Sequence, residues 1–176
     1  RSYIATKKNI FNKKNKNINL ISIDDKYSKK IFDNKYIKNK ISFSIKSINA
    51  DIYYNEGCIV DNYFNTNKRI RLQNISSDLN SNYNIQNILV AYFVCKFLKI
   101  PIKYFYKGIR NFKGLPYRSS IIYNTTSKLI INNSKATNIS SSLSTLENKE
   151  NIYLILGGIA KEDGFERFKK FRKHID

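Results

Sequence analysis

Hydrophobic positions along this chain change period several times, and each change marks an element. Ile18 to Ile23, I-N-L-I-S-I, alternates as a strand with one buried face, and Asp24-Asp25 closes it. Lys26 to Asp33 then reads as a short helix. Four short β-prone runs follow: Ile41 to Ile45, Asp51 to Tyr54, Cys58 to Val60, and Arg69 to Leu72. Asn55-Glu56-Gly57 lies between two of them as a hairpin-like turn, and the four runs predict a small antiparallel sheet. From Asn84 to Leu98 the period becomes helical. Ile85, Ile88, Leu89, Tyr92, Val94, Phe97 and Leu98 leave little polar face, which predicts a largely buried helix. Asn82 is its candidate N-cap, and Pro101 stops it.

The second half of the chain is punctuated differently. Pro101 to Asn111 predicts a short helix, followed by a loop with Gly114 and Pro116. Ile121 to Tyr123 and Lys128 to Ile131 pair as strands around Asn124 to Ser127. A polar turn follows Ile131, and a helical pattern runs through Leu143 and Leu146 with Asn138 as N-cap. Ile152 to Leu156 is a continuous apolar run, the pattern of a buried parallel strand, and Gly157-Gly158 turns the chain at its carboxyl end. Phe165, Phe168 and Phe171 recur at helical spacing and belong to a core.

The stretch from Ile130 to Ser142, I-I-N-N-S-K-A-T-N-I-S-S-S, holds the clearest candidate chemistry. Strand, polar turn and helix N-terminus make an anion pocket, because free amides point outward and the helix dipole favours negative charge. Lys135 and Thr137 add a cation and a hydroxyl inside the turn. An ordinary βα loop has the same outline. The turn after Ile131 and the glycine corner after Leu156 are expected to open onto one cleft for small anions.

Composition changes the picture in two places. The chain has 176 residues, begins with Arg1 and contains no Met, so it reads as a fragment. Its formal net charge is +19, a balance that suggests nucleic acid or an anionic surface. The lysines are interleaved with Asn and spread through loops, as in Lys7 to Lys16, and drift of the coding sequence toward A/T produces the same composition. Cys58 and Cys95 lie far apart with no C-x-x-C and read as buried free thiols in a reducing cytosol. The single His174 excludes histidine-rich metal sites. The longest apolar run, Ile88 to Cys95, is too short to span a bilayer.

Four blocks in order carry a resemblance. Y-N-I-Q-N from Tyr83 matches H-N-x-x-N; F-K-G-L-P-Y-R from Phe112 matches F-x-G-L-x-H-R; Asn132 to Asn138 matches N-D-S-K-A-T-N; and I-Y-L-I-L-G-G-I-A-K from Ile152 matches a strand, glycine pair and lysine. Together they resemble the Mur ligases that add D-glutamate to UDP-N-acetylmuramoyl-L-alanine. The likeness runs over nearly the whole chain and is loosest between Lys35 and Ser81. It implies an α/β fold: residues 1–113 as the second half of the central ATP-binding domain, with the small antiparallel sheet, and residues 114–176 as the start of a Rossmann-like, glutamate-binding domain.

The resemblance also implies a cytoplasmic, ATP- and Mg2+-dependent enzyme of peptidoglycan synthesis that works as a monomer, away from nucleic acid and membrane. Tyr3 to Phe11, Y-I-A-T-K-K-N-I-F, looks like the family's Y-x-A-A-K-x-x-I-F/Y, read here as the end of a helix. Lys7 matches the family's carbamylated lysine, which helps to hold magnesium. Asn84 and Asn87 match asparagines that approach the adenine of ATP, and Arg118 matches an arginine on the nucleotide phosphates. Lys135, Thr137 and Lys161 fall at D-glutamate positions, and Asn133 at a nucleotide position. For Asp24-Asp25, both magnesium ligation and helix capping fit the sequence.

Several positions depart from the family. Tyr83 and Tyr117 replace His, Asn133 replaces Asp, and Ser120 replaces an acidic residue. The G-K-[ST] phosphate loop does not occur in the chain, so these residues alone are not expected to catalyse the reaction. A decayed relative that keeps the fold without turnover, and a basic nucleic-acid-binding module, are the alternatives to an active ligase.

Overall fold

A computed structural model of the chain describes residues 6, 8–11, 17–64, 69–75, 79, 82–146, 149–159 and 166–175. The chain divides into two compact units, Arg1–Lys113 and Gly114–Asp176. Of the helix end expected over Tyr3 to Phe11, Thr6 and Lys8 to Phe11 are described: Thr6 and Lys8 are helical, and the chain turns at Asn9 and Ile10.

The first unit is built on a five-stranded sheet in the order β1-β2-β3-β4-β5. Its strands are β1 (Asn19–Ser22), β2 (Lys40–Ser44), β3 (Ile52–Asn55), β4 (Cys58–Asp61) and β5 (Arg69–Arg71). The expected antiparallel sheet is only half of this. β3, β4 and β5 pair antiparallel, whereas β1 pairs β2, and β2 pairs β3, in parallel. The crossover from β1 to β2 runs through α1 (Lys26–Phe32). Asp25 caps that helix, its side chain accepting from the amides of Tyr27 at 2.9 Å and Ser28 at 3.0 Å. Lys40 reaches back from β2 to the carbonyls of Phe32 and Asn34, so a cation sits where the helix carbonyls end.

Parallel neighbours normally need a long crossover. β2 and β3 manage with a short loop because β3 starts beside the end of β2, pairing Ile52 with Phe43 and Tyr53 with Ser44. Asp51 locks that loop: its carboxylate accepts from both the amide and the hydroxyl of Ser42 at 2.7 Å. The next corner is the turn read from Asn55-Glu56-Gly57. Asn55 pairs with Cys58, and Glu56 and Gly57 have φ of 47° and 75°. Two positive φ values in a two-residue loop make a type I′ turn, whose twist matches that of the flanking strands.

α2 (Asn82–Phe97) lays Ile85, Ile88, Leu89, Tyr92 and Phe93 against Ile41, Phe43, Ile52, Ile59 and Ile70 of the sheet. These helix positions recur at the spacing of one helical face. Asn82 is the first residue of the helix rather than its cap. The expectation of a largely buried helix holds for one face only. Phe97 and Leu98, on and just past the last turn, are 52% and 60% exposed, because among the described residues the sheet covers a single side. The helix ends in a Schellman motif. Lys99 has φ 55°, its amide donates to the carbonyl of Lys96, and Ile100 donates to that of Cys95. Pro101 then precedes α3 (Ile102–Asn111), which buries Phe105 and Ile109 in the same core.

The second unit holds β6 (Ser120–Asn124), β7 (Leu129–Asn132), α4 (Ile139–Leu146) and a 3-10 helix, Glu166–Phe171. β6 and β7 form an antiparallel hairpin. Leu143, Leu146 and Phe168 make a small core with Ile139, Ile152, Leu154, Phe171 and Ile175 around it. The buried parallel strand expected at Ile152 to Leu156 does not form. Ile152 makes one isolated parallel bridge with Ile175, while Ile155 is 98% and Ile159 96% exposed. A strand is buried on both faces only when neighbouring strands extend the sheet beside it, and among the described residues this run has none.

Candidate functional site

Two loops of the second unit are laced together. The backbone turns left-handed at Tyr117 (φ 64°) and at Ser119 (φ 51°), on either side of Arg118. Non-glycine residues adopt this region rarely, so the loop must be held by its surroundings. The holding contacts are visible. The amide of Lys135 donates to the carbonyl of Tyr117 at 3.1 Å. The amide of Ser119 donates to Oδ1 of Asn133 at 3.2 Å. The hydroxyls of Ser119 and Thr145 lie 3.1 Å apart, and that of Ser120 donates to the carbonyl of Leu115 at 3.0 Å.

The turn after β7 is equally fixed. Ala136 donates to the carbonyl of Asn133 at 2.9 Å, closing a tight turn around Ser134 and Lys135. Asn138 caps α4 as expected, Oδ1 accepting from the amide of Ser141 at 2.8 Å. Asn133 faces three partners. Besides accepting from Ser119, its Nδ2 donates to the carbonyl of Ser141 at 3.0 Å and to the hydroxyl of Thr145 at 2.7 Å. An amide N–H on one side and a carbonyl on the other leave a single orientation for its side chain.

Arg118, Asn133, Lys135 and Thr137 are thus brought onto one pair of interlocked loops, with the side chains of Arg118, Lys135 and Thr137 exposed. Asn84 and Asn87 belong to the first unit, in the opening turns of α2. Lys7 and Lys161 lie outside the described residues. The strand expected to carry Gly157 and Gly158 to a cleft shared with the Asn133 turn does not form, leaving one isolated bridge at Ile152.

A polar cluster at the carboxyl ends of β1 and β2 joins the strand-end acid Asp24 to Ser44 and Gln86, two residues the sequence reading does not single out. Asp24 accepts from the hydroxyl of Ser44 at 2.5 Å, from the amide of Ile45 at 3.1 Å and from Nε2 of Gln86 at 2.6 Å. Burial alone would push its carboxyl up, but the hydrogen bonds from Ser44, Ile45, Gln86 and Lys46 outweigh it and hold the group below the usual carboxylate range. Burial likewise opposes, and the bonds from Ser28 and Tyr27 with the charge of Lys46 favour, a lowered Asp25. Both acids are therefore occupied by protein donors, Asp25 as a cap. Among the described residues no group of three or more His, Cys, Asp or Glu is arranged to hold a metal ion. Cys58 and Cys95 are free thiols, the first buried and the second partly so. No helix among the described residues is long and apolar enough to cross a membrane.

No protein-family model matches the chain. Curated relatives do. It is 33% identical over 180 residues to the UDP-N-acetylmuramoylalanine–D-glutamate ligase of Rickettsia bellii, covering 98% of this chain and 39% of that protein. The ligase of the same name from Buchnera aphidicola of Schizaphis graminum is 34% identical, again over 98% of this chain and 39% of the relative. That of the Wolbachia of Brugia malayi is 31% identical over 96% of this chain and 33% of its own length. The chain therefore spans between a third and two fifths of the length of these three relatives. Over nearly the whole of this chain, then, the similarity is to one part of the Mur ligases named for joining UDP-N-acetylmuramoylalanine to D-glutamate.

Proposed function

We propose that the chain is part of an ATP-dependent ligase that adds D-glutamate to UDP-N-acetylmuramoyl-L-alanine in cytoplasmic peptidoglycan synthesis. In this reading the first unit is the later part of the central ATP-binding domain, and the second begins the Rossmann-like domain that receives D-glutamate. ATP phosphorylates the substrate carboxylate, the amine of D-glutamate attacks the acyl phosphate, and phosphate leaves. Asn84 and Asn87 offer amides, each both donor and acceptor, to the adenine edge. Arg118 offers a fork of N–H donors to phosphate oxygens, with Asn133 beside it. Lys135, Thr137 and Lys161 bind D-glutamate. Lys7, once carbamylated, would supply an oxygen donor to Mg2+.

The observation that carries the reading is the lacing of the Arg118 loop to the Lys135 turn through Tyr117 and Asn133. It holds a guanidinium-bearing loop and an ammonium-bearing turn together, with both side chains exposed to an anionic ligand. The test is nuclear magnetic resonance on the labelled chain, titrated with Mg·ADP and, separately, with D- or L-glutamate. Mg·ADP is expected to move signals of Asn84, Asn87 and Arg118. D-glutamate is expected to move Lys135 and Thr137, and L-glutamate to do so less. Failure of both nucleotide and D-glutamate to move these signals would overturn the reading.

A further inference from the structure

We propose that Gln86 is a positioning residue: clasped to Asp24, it sets the rotation of the opening turns of α2 and so the presentation of Asn84 and Asn87 to an adenine base. The inference rests on the reading that those two asparagines meet adenine. It concerns a residue that makes no contact with the ligand itself.

The geometry is specific. Asp24 follows β1, and Ser44 ends β2; the two strands are parallel, so these residues share one end of the sheet. That is the end where open α/β sheets receive ligands. Nε2 of Gln86 donates to Oδ2 of Asp24 at 2.6 Å and lies 3.5 Å from the hydroxyl of Ser22. The carboxylate is itself immobilised, because Ser44 and Ile45 donate to it from β2. Ser44 is fully buried and is further held by the amides of Lys46 and Ser47. A short bond between an amide and a fixed carboxylate thus joins α2 to two strands at once.

Rotation is what such a bond controls. Successive helix residues are turned by about 100° about the axis. Pinning Gln86 toward the strand ends therefore fixes the azimuth of Asn87, one step on, and of Asn84, two steps back. Among the described side chains of α2, Ile85 is the first that is buried, so the polar clasp adds a second hold on the opening turns. A contact to a charged acceptor is also stronger than a neutral one, and its loss leaves the carboxylate short of a donor.

Three variants of the 176-residue chain test the proposal. Gln86→Leu keeps bulk and removes the donor, Gln86→Glu keeps the shape and places a second carboxylate against Asp24, and Gln86→Lys restores a donor. Hydrogen exchange is read at the backbone amides of Asn87 to Leu89 and, as an internal control, of Tyr92 to Cys95. Adenosine is titrated while the side-chain amide signals of Asn84 and Asn87 are followed. The Leu and Glu variants are expected to exchange about tenfold faster at Asn87 to Leu89 and to bind adenosine about tenfold more weakly. The control amides should be unchanged, and Gln86→Lys should recover both properties. A packing role predicts the opposite order, with Leu harmless and Lys damaging, and that result overturns the proposal. So does equal exchange and equal affinity in all variants. If the unsubstituted chain shows no adenosine response while the Leu variant exchanges faster and the Lys variant recovers, the clasp is upheld and the adenine reading of the two asparagines is what fails.

Discussion

Asn133 donates its side-chain amide to the hydroxyl of Thr145 at 2.7 Å and to the carbonyl of Ser141 at 3.0 Å. The position aligns with an aspartate of the family signature, and an ionised carboxylate donates nothing. The amide here ties β7 to α4 and, through Oδ1, to the Arg118 loop.

Asn133→Asp, which restores the family's letter, is therefore expected to lower the stability of the second unit by about 1–3 kcal/mol at neutral pH. The carboxylate would face the Ser141 carbonyl, which raises its folded-state pKa. The penalty is present above that pKa and fades as pH falls through it and the acid regains a proton to donate. Denaturant unfolding followed at the Ser119 amide signal, at neutral and acidic pH, measures it. Equal stability of the two proteins at neutral pH would show the donations to be dispensable.

Tyr92 and Asp61 form a second paired contact, deep in the first unit. The phenol donates to Oδ2 at 2.6 Å, and Asp61 is 0% exposed. Its Oδ1 accepts from the amides of Tyr63 and Phe64, so the acid caps the turn after β4. Tyr92→Phe keeps the ring and removes one hydrogen-bond partner from a buried carboxyl group, at a cost of about 1–3 kcal/mol. The denaturation midpoint should fall with the slope unchanged, because the surface exposed on unfolding is the same.

Acid should unfold the first unit partly through Asp24. Its carboxyl is held below the usual range in the fold and returns to an ordinary value in the unfolded chain. The stability it contributes is complete above the ordinary carboxylate pKa of about 3.9, and is lost as pH falls through the lower folded-state value. Asp24→Asn is expected to flatten the acid limb of a stability–pH curve. An unchanged limb would assign acid sensitivity elsewhere.

The corner at Gly57 isolates a backbone cost. Its φ is 75°, and an added Cβ would meet nothing within 4 Å. Gly57→Ala should therefore lose about 1–2 kcal/mol from the left-handed conformation alone. A larger loss in thermal unfolding would point to a contact that the geometry does not contain.

Local elements were legible because their signals are local. The alternation of Ile18 to Ile23, the Glu56-Gly57 corner and the Asn138 cap each depend on neighbours a few residues away. The parallel pairing of β1, β2 and β3 was not, since β-prone letters do not say which way a neighbouring strand runs. The run at Ile152 to Leu156 reads as buried by composition, yet burial needs partners that composition does not supply. At the site, family spacing pointed to Arg118, Asn133, Lys135 and Thr137. Gln86 gave no signal because it occupies a variable place in its block, and its partner lies 62 residues away. Asp24 was seen as a strand-end acid, with ligation and capping as its two readings; the long-range hydrogen bonds that occupy it could not be read from one segment.

The two-residue corner between β3 and β4 has a kinetic consequence. Joining Ile52 to Asp61 and Ile59 to Ile70 closes only short stretches of chain, whereas the Asp24–Gln86 bond must bring together distant segments. Short closures lose little entropy and so form early. The meander should be the nucleus on which the first unit assembles, with the opening turns of α2 settling last. Substitutions at Ile59 would then slow refolding, while those at Gln86 would mainly hasten unfolding.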